Sequence, residues 1–421
     1  MLNATKHTNL QWEMQTKYIP GGSQTVSKQP ERFGNMYPKL IKLALGSTIE
    51  DIDGNTYTDY ISALGPIILG YANRQVDKAV KDQMAKGTIF SLPSIEEYGL
   101  AMQLNQIIPC AEKSRFFKTG SDATSAAVKV ARAVTGKERV LSCGYHGWHD
   151  WYTVTTDNKR GIPKRMEGLV EKFMYDSVDS LREKFHTDDV ACVIMEPFQF
   201  KEPTPGYLDA VKQLCHEHGA LLIFDEIITG FRFHIGGIQS YYKVVPDLAT
   251  FSKAMGNGYP IAALCGKAEY MDVFDSPGFF ISGTFGGDLI GIAAAKTTIY
   301  ELQRNDQLAI KHLWKAGNSL KDGFNGIVEG KGLPDTYCEG LGPRTRFVFP
   351  SLEHKALFYQ EAIKNGLMFG PNNFIQLGHT TSIVEYTLMV IDRITDFMKE
   401  NWQDPKKVIE SDTLPKEVVI R

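Results

Sequence analysis

Short apolar runs that alternate with helical segments constrain the fold of this chain more than any other feature of its sequence. The runs have the length and residue types of buried parallel strands. Helical patterns lie between them at 122–136, 176–186 and 206–218. This alternation predicts an α/β domain with a mostly parallel sheet and right-handed crossovers. The runs are SRFFKTG (114–120), RVLSCG (139–144), VACVIME (190–196), ALLIFDE (220–226), DLATFSK (247–253) and IAALCG (261–266).

Segments on both sides of this region predict a second, smaller α+β domain. STIEDIDGNTYTDYI reads as a β-hairpin, with Asp53 and Gly54 supplying the tight turn. The later predicted elements are helices at 306–325, 353–366 and 385–401 and a strand, TRFVF, at 345–349. We therefore expect an N-terminal segment of the small domain at 1–60, a large domain at 61–304 and the rest of the small domain at 305–421.

Composition excludes several classes of protein. A chain of 421 residues with 43% hydrophobic content can bury a large core. The net charge is −3 and no long basic block occurs, so nucleic acid is not a favoured partner. The six cysteines form no CxxC pair, which favours reduced thiols in a cytoplasmic protein. The N-terminus lacks the apolar core of a signal peptide, and no apolar run is long enough to span a membrane.

Two charged residues stand where apparent strands end. Asp225 closes ALLIFD, and Lys253 follows 28 residues later at the end of DLATFSK. Ligands of an open parallel sheet bind outside the carboxyl ends of its strands. Pyridoxal phosphate (PLP) needs a lysine for its Schiff base and an anion beside its pyridine nitrogen. The alternatives are a carboxylate that caps a turn and a lysine that is only a surface charge.

Two turns could hold the phosphate of such a cofactor. Gly120 and Ser121 come between a strand and a helix, and free N–H groups at a helix N-terminus bind phosphate. Gly283 and Thr284 precede a second helix built of small residues, where the hydroxyl could make another phosphate contact. Ordinary helix caps look the same at both places, so both interpretations stay open here.

The motif CGYHGWHDW (143–151) carries an unusual density of rings. Tyr145 could stack on a pyridine ring, and His146, Trp148, His149 and Asp150 could line or support the site. A purely structural role for each of them is the alternative. The two histidines are three residues apart with no third ligand at a suitable spacing, so no metal site is predicted.

Taken in order, these motifs resemble the class III aminotransferase family of PLP enzymes, which has fold type I. Within that family the resemblance is greatest to the glutamate-1-semialdehyde 2,1-aminomutases. It covers most of the chain and becomes thin after about 330. The motifs that carry it are YIPGGSQTVSKQPERF, DIDGNTYTDYI, TGSDATSAAVKVAR, YHGWHD, MEP, IFDEIITGFR, SKAMGNGYPIAAL and GTFGGDLIGIAAA.

The resemblance implies a role for each residue of the cofactor site. Lys253 would form the internal aldimine and move the proton, and Asp225 would pair with the pyridinium nitrogen. Tyr145 would stack on the ring. Gly120 and Ser121 would hold the phosphate.

Further roles are also implied by the resemblance alone. Thr284 would reach the phosphate of a partner subunit, which implies a homodimer with active sites at its interface. Glu196 would lie near the cofactor, and Gln199 would approach the ring hydroxyl. Lys28, His146 and Gln199 are the predicted substrate contacts.

Departures from the aminomutase pattern concern the substrate. Lys28 stands where the aminomutase has an arginine that binds the substrate carboxylate, and a lysine cannot reproduce that bidentate contact. Leu64 replaces a tryptophan, and Ile375 or Gln376 occupies the place of an acidic gating residue. Asp288 replaces the usual asparagine of a turn.

The predicted function is therefore PLP-dependent transfer of an amino group from an amino donor to an aldehyde or ketone acceptor. The first alternative is intramolecular transfer, as in the aminomutase. Other PLP reactions, such as racemisation or decarboxylation, and a non-catalytic protein with this fold are further alternatives. Retention of both Lys253 and Asp225 argues against the non-catalytic one.

Overall fold

A computed structural model of the chain describes residues 6–34, 36–410 and 414. These residues form two compact units. The terminal unit combines the described residues up to 73 with those from 311 onward, and the central unit runs from 74 to 310. None of the helices among the described residues combines the length and apolarity needed to cross a membrane.

Strands and helices are numbered separately along the chain. The strands are β1 (Ile41–Leu45), β2 (Thr48–Asp51), β3 (Thr56–Asp59), β4 (Lys113–Phe117), β5 (Arg139–Cys143), β6 (Val170–Lys172), β7 (Val190–Met195), β8 (Leu221–Asp225), β9 (Leu248–Phe251), β10 (Ala262–Gly266), β11 (Tyr337–Leu341), β12 (Arg344–Val348), β13 (Leu367–Met368) and β14 (Asn373–Phe374). The helices are α1 (Lys6–Tyr18), α2 (Arg74–Met84), α3 (Ile95–Ile107), α4 (Gly120–Thr135), α5 (Asp150–Thr153), α6 (Val178–Arg182), α7 (Tyr207–Glu217), α8 (Ile238–Tyr242), α9 (Ala268–Met271), α10 (Leu289–Lys331), α11 (Leu352–Lys364) and α12 (Thr381–Glu400).

The central unit is built on a sheet with strand order β4-β10-β9-β8-β7-β5-β6. Strands from β9 to β6 pair in parallel, which confirms the predicted mostly parallel α/β sheet. The prediction of a parallel strand at 261–266 is wrong in its direction, because β10 is antiparallel to both β9 and β4. The connection at 252–261 is shorter than the dozen or so residues that a parallel crossover needs.

Helix α4 packs across one face of this sheet and completes its core. Its small apolar residues, among them Val128 and Ala131, are buried in one cluster with strand residues such as Ile194 and Ile223. Burial of apolar surface stabilises a folded protein by about 25 cal/mol per Å², so such a cluster is the main source of stability of the unit. The helix begins with a capping box between Thr119 and Asp122, close to its predicted start. Helix α6 covers only the middle of the predicted 176–186.

The terminal unit contains the sheets β1-β2-β3-β13 and β11-β12-β14 together with α11 and α12. The hairpin predicted around Asp53 and Gly54 is confirmed, and the Asp51 carboxylate accepts the Asp53 and Asn55 amides inside the turn. Residues 61–73 belong to this unit, where Tyr71 pairs with Gly46 beyond the end of β1.

Helix α10 crosses the boundary between the two units. The helix predicted at 306–325 lies within it, but the backbone is non-helical from Arg304 to Gln307. Residues 305–310 are predicted to belong to the smaller domain, but they fall in the central unit.

Candidate active site

The carboxyl ends of five strands of the central unit meet at one edge of the sheet. β5, β7, β8 and β9 are parallel, and β4 runs in the same direction because β10 is antiparallel to both β4 and β9. This edge is where an open α/β sheet binds its ligands. The residues that follow these strands include predicted site residues: Gly120 and Ser121, Tyr145 and His146, Glu196 and Gln199, Asp225 (the last residue of β8), and Lys253.

Asp225 and His146 form a buried pair at this edge. His146 Nδ1 lies 2.7 Å from Asp225 Oδ2, and the two residues are 1% and 3% exposed. The other carboxylate oxygen accepts the Ile227 amide at 3.1 Å and the Thr250 hydroxyl at 3.4 Å. Buried polar groups need such partners. These bonds therefore fix the orientation of the carboxylate at the end of β8.

His146 is held in turn by α4. Its carbonyl accepts the Thr124 hydroxyl at 2.8 Å, and its ring stacks against Trp151 and contacts the edge of Tyr152. Among the described residues, His146 Nε2 is buried with no hydrogen-bond partner. The bond to Asp225 gives the His146 side chain a role in orienting that carboxylate, which sequence spacing did not indicate. The predicted contact of His146 with substrate stays a prediction.

Lys253 follows β9 in a conformation that only the surrounding structure can hold. Its φ is +45°, in the left-handed region that non-glycine residues rarely adopt. Such a residue costs about 1–3 kcal/mol and persists where neighbouring contacts fix it. Ser252 contributes one of those contacts, because its hydroxyl donates to the Ile261 carbonyl at 2.7 Å. Asp225 pairs with Thr250 in the β8–β9 register, so lysine and carboxylate follow adjacent strands.

The first turn of α4 offers free amides. Its capping box occupies the Asp122 amide, and the Ala123 amide bonds the Thr119 carbonyl. Within the described residues, the amides of Gly120 and Ser121 have no acceptor. A side chain on Gly120 would overlap Ile227, which explains the glycine. Free amides at the N-terminus of a 16-residue helix suit a phosphate.

Glu196 holds the backbone of the ring-bearing segment. Its Oε1 accepts the Tyr145 amide at 2.8 Å, and it fills the space that a side chain on Gly144 would need. Gly144 has a φ of +116°, so the turn requires glycine there. Tyr145 remains partly exposed, with its ring edge-on to Tyr152. Burial and the Asp225 charge raise the pKa of the Tyr145 hydroxyl, which keeps it neutral.

Three further predicted residues have surroundings of their own. Gln199 Nε2 is 3.5 Å from Cys143 Sγ, beside the turn that carries Tyr145. Thr284 is exposed in the segment before α10. Lys28 is exposed in the terminal unit, at a cavity of about 490 Å³ that Leu64 also lines.

Sequence reasoning missed several supporting residues. Ser125, on the second turn of α4, pairs with His149 Nδ1 at 2.7 Å and accepts the Trp151 indole N–H at 2.8 Å. The signal that could have found it is the polar face formed by Ser121, Thr124 and Ser125 on a helix otherwise rich in small apolar residues. These bonds fasten the YHGWHDW segment to the helix.

Glu226 was also missed as a structural residue. It is fully buried and accepts the backbone amides of Ile238 and Gln239 at 2.5 and 3.1 Å, which anchors the start of α8. Burial raises its pKa to about 7. Glu226 follows the end of β8, and its partners Thr229, Ile238 and Gln239 differ from those of Asp225. Throughout the described ranges, no group of three His, Cys, Asp or Glu residues could hold a metal ion.

Comparison with known proteins identifies the family to which this chain belongs. The family model for class III aminotransferases matches residues 30–372. The 3-aminobutyryl-CoA aminotransferase of Cloacimonas acidaminovorans is 37% identical over 90% of this chain and 94% of its own length. The glutamate-1-semialdehyde 2,1-aminomutase of Methanothrix thermoacetophila is 33% identical over 90% and 94%.

Solved structures show the same fold. The FumI protein of Sphingopyxis sp. MTA144, in its PLP internal aldimine form, has a TM-score of 0.89 at 26% identity and covers 97% of this chain and 99% of its own. An omega-transaminase of Sphaerobacter thermophilus has a TM-score of 0.85 at 23% identity, with 95% and 98% covered. The chain thus has the α/β architecture of fold type I PLP-dependent transferases. It belongs to the class III aminotransferase family, whose members use PLP.

Proposed function

We propose that this enzyme is a transaminase that takes two separate small-molecule substrates, an amino donor and an aldehyde or ketone acceptor. The observation that carries the proposal is the arrangement at the edge of the central sheet. A strained lysine follows β9 next to a buried carboxylate on β8, and His146 holds that carboxylate at 2.7 Å.

The residues fit PLP, and each has a distinct task. When bound, PLP supplies an electron sink for the carbon that loses its proton. Asp225 would bind the ring nitrogen and keep it protonated, because a nearby negative charge favours the charged form. The free amides of Gly120 and Ser121 would bind the phosphate, and Tyr145 would stack on the ring. These contacts would fix the cofactor at both ends.

Lys253 would hold the cofactor and then carry a proton at Nζ between the two carbon atoms bonded to the transferred nitrogen. General acid–base catalysis by a positioned group contributes about 10²–10⁴-fold. His146 would serve this step indirectly by orienting Asp225. Glu196 would hold Tyr145 through its backbone amide, and Gln199 would lie beside the ring.

The second candidate is an intramolecular aminomutase, and one feature of the terminal unit argues against it. Gln376, at the position compared with the acidic gate of the aminomutase, is neutral and fully buried. Its amide lies 3.2 Å from the Ser62 hydroxyl and 3.4 Å from the Asp59 carbonyl. Its neighbour Ile375 is equally buried. Neither residue can act as an exposed acid, which favours transfer between separate substrates.

Turnover with one substrate or two separates the candidates. We expect the enzyme loaded with PLP to be converted to its amino form by an amino donor, and to return when a carbonyl acceptor is added. Absorbance of the cofactor follows both half-reactions. The panel should include α- and β-amino acids, since a relative at 37% identity is named for a 3-amino thioester. Steady turnover of glutamate-1-semialdehyde without any second substrate would instead establish the aminomutase.

Lys28 is proposed to attract an anionic group of the substrate. It is exposed and lines a cavity together with apolar residues such as Trp12, Phe33 and Leu64, a second lysine, Lys39, and the acidic Asp59. A lysine provides a single point charge, which suits an anion without demanding bidentate geometry.

We further propose that the active enzyme is a homodimer in which Thr284 reaches the partner's phosphate site. An apolar surface of the central unit supports this: Leu92, Phe280 and Phe285 are 79%, 74% and 61% exposed. They border a cavity of about 1130 Å³ together with Thr284. Clustered exposed aromatic and aliphatic residues mark interaction surfaces.

Leu92→Asp tests the dimer. We expect wild-type enzyme to show twice the mass of one chain in light scattering, and the variant to shift toward one chain and retain PLP less well. Met174→Asp is the matched control, because Met174 is similarly exposed but follows β6 at the opposite edge of the sheet. A wild-type monomer with full cofactor affinity would contradict the proposal.

A cytoplasmic location is proposed on the state of the cysteines. All six are free and buried, as expected for a protein kept in a reducing compartment. Burial raises the pKa of the thiols of Cys192 and Cys265 to about 12, so they stay protonated and unreactive.

A further inference from the structure

An ion pair joins two turns of the central unit that are far apart in sequence. Lys118 Nζ lies 2.5 Å from Asp288 Oδ2, and the side chains are 26% and 18% exposed. Lys118 is the residue directly after β4 and directly before the turn that leads into α4. Asp288 is the residue directly before α10. The pair is therefore partly shielded from water, where opposite charges interact more strongly than at an open surface.

Asp288 also organises its own segment. Its Oδ2 accepts the Gly291 amide at 3.0 Å, which caps the start of α10. Its amide donates to the Phe285 carbonyl at 3.2 Å, and Gly286 donates to Gly283 at 3.1 Å. These bonds make 283–288 a tight, hydrogen-bonded turn that carries the Thr284 hydroxyl.

The same turn is seated on the end of β4. A side chain on Gly286 would stand 2.8 Å from the Phe116 carbonyl, so the two backbones are in close contact there. A side chain on Gly291 would approach Lys118 Nζ at 3.1 Å, so the ammonium group packs against the first turn of α10. The lysine lies between β4, the start of α4 and the start of α10.

A helix cap does not need the charge of Asp288. Asparagine caps helices as well as aspartate does. The cap alone therefore does not account for the negative charge, whose partner in the structure is Lys118.

We propose that Lys118 and Asp288 are positioning residues that lock the Thr284 turn against the Gly120–Ser121 turn, and so place both the amides for the chain's own phosphate and the hydroxyl for the partner's. The inference rests on the proposed function, since it concerns how PLP would be held. Neither side chain is assigned a contact with the cofactor. Each acts through a turn whose amides or hydroxyl would bind phosphate.

The test is a cycle of the variants Lys118→Gln, Asp288→Asn and the double variant, with dissociation constants measured for PLP and for pyridoxal, which lacks the phosphate. Each single variant leaves one partly buried charge unpaired. We expect about 5- to 20-fold weaker PLP binding for each, since about 1.4 kcal/mol is tenfold. The double variant, with two neutral amides, should return to within about threefold of wild type. Pyridoxal binding should change less than about twofold throughout.

Lys113→Gln is the matched control. Lys113 lies at the other end of β4 and pairs with Asp272. The substitution therefore removes an ion pair from the same strand and leaves the two phosphate turns unchanged. The variant should bind PLP as wild type does. Thermal melting of every variant checks folding, and the double variant keeps the test valid if a single variant is unstable.

Three results would overturn the inference while leaving the proposed function intact. These are single variants that bind PLP like wild type, equal losses for PLP and pyridoxal, and tighter PLP binding by Asp288→Asn. The last would make Lys118 a direct phosphate ligand that Asp288 restrains. Wild-type protein that binds no PLP would overturn the proposed function itself, so the two failures are distinguishable.

Discussion

Asp225→Asn is expected to lower turnover at least about 100-fold, the loss seen when one preorganised charge or donor is removed from a site. The side chain keeps its shape but loses its negative charge, and the ring nitrogen of PLP would no longer be held protonated. His146 would then face an amide in place of the carboxylate that it bonds at 2.7 Å. PLP should still bind, because Lys253 and the amides of α4 are unchanged.

Single-turnover absorbance with a competent amino donor measures this effect separately from binding. Asp179→Asn is a suitable control, because Asp179 is an exposed carboxylate that pairs with the nearby Arg182. A near-wild-type rate for Asp225→Asn would show that another group supports the ring nitrogen. A variant that no longer binds PLP would show that Asp225 is a binding residue first.

Lys253→Ala is expected to lower the rates of both half-reactions by about 10²–10⁴-fold or more. The variant loses the amine that would hold the cofactor and the group that would move the proton. Folding should be little affected, because alanine has the same Cβ atom and therefore the same backbone cost at a φ of +45°.

The absorbance band of the bound cofactor and the rate of donor-driven conversion are the two measurements for this variant. Lys78→Ala, at an exposed lysine of α2, controls for the loss of a positive charge from the same unit. Conversion by Lys253→Ala at a rate close to that of the control would remove Lys253 from the mechanism.

The architecture of the central unit could be predicted because its strands are strongly marked. Runs such as 190–196 and 220–226 are apolar on both faces and end in charged residues, a pattern that fixes both the strand and the edge where a ligand binds. The prediction that Asp225 and Lys253 are site residues rests on this pattern, since each stands at the end of such a run. The direction of β10 was not found, because an apolar run carries no information on the partner it pairs with.

Contacts between distant segments could not be predicted from local pattern. The bond between His146 and Asp225 joins residues 79 positions apart, and the pair of Lys118 and Asp288 joins residues 170 apart. Glu226 illustrates a second limit: it is an acidic residue next to Asp225 in the sequence, but its carboxylate anchors the start of α8, whereas that of Asp225 pairs with His146. Local sequence gives residue types at strand ends, and the fold decides which side chains meet.

Reduction of the PLP-loaded enzyme with borohydride, followed by peptide mass spectrometry, tests directly whether Lys253 holds PLP. The reagent fixes the cofactor permanently to whichever lysine holds it. We expect a pyridoxyl group on Lys253, within the peptide that contains SKAMGNGYP. Modification of another lysine, or of none, would contradict this expectation.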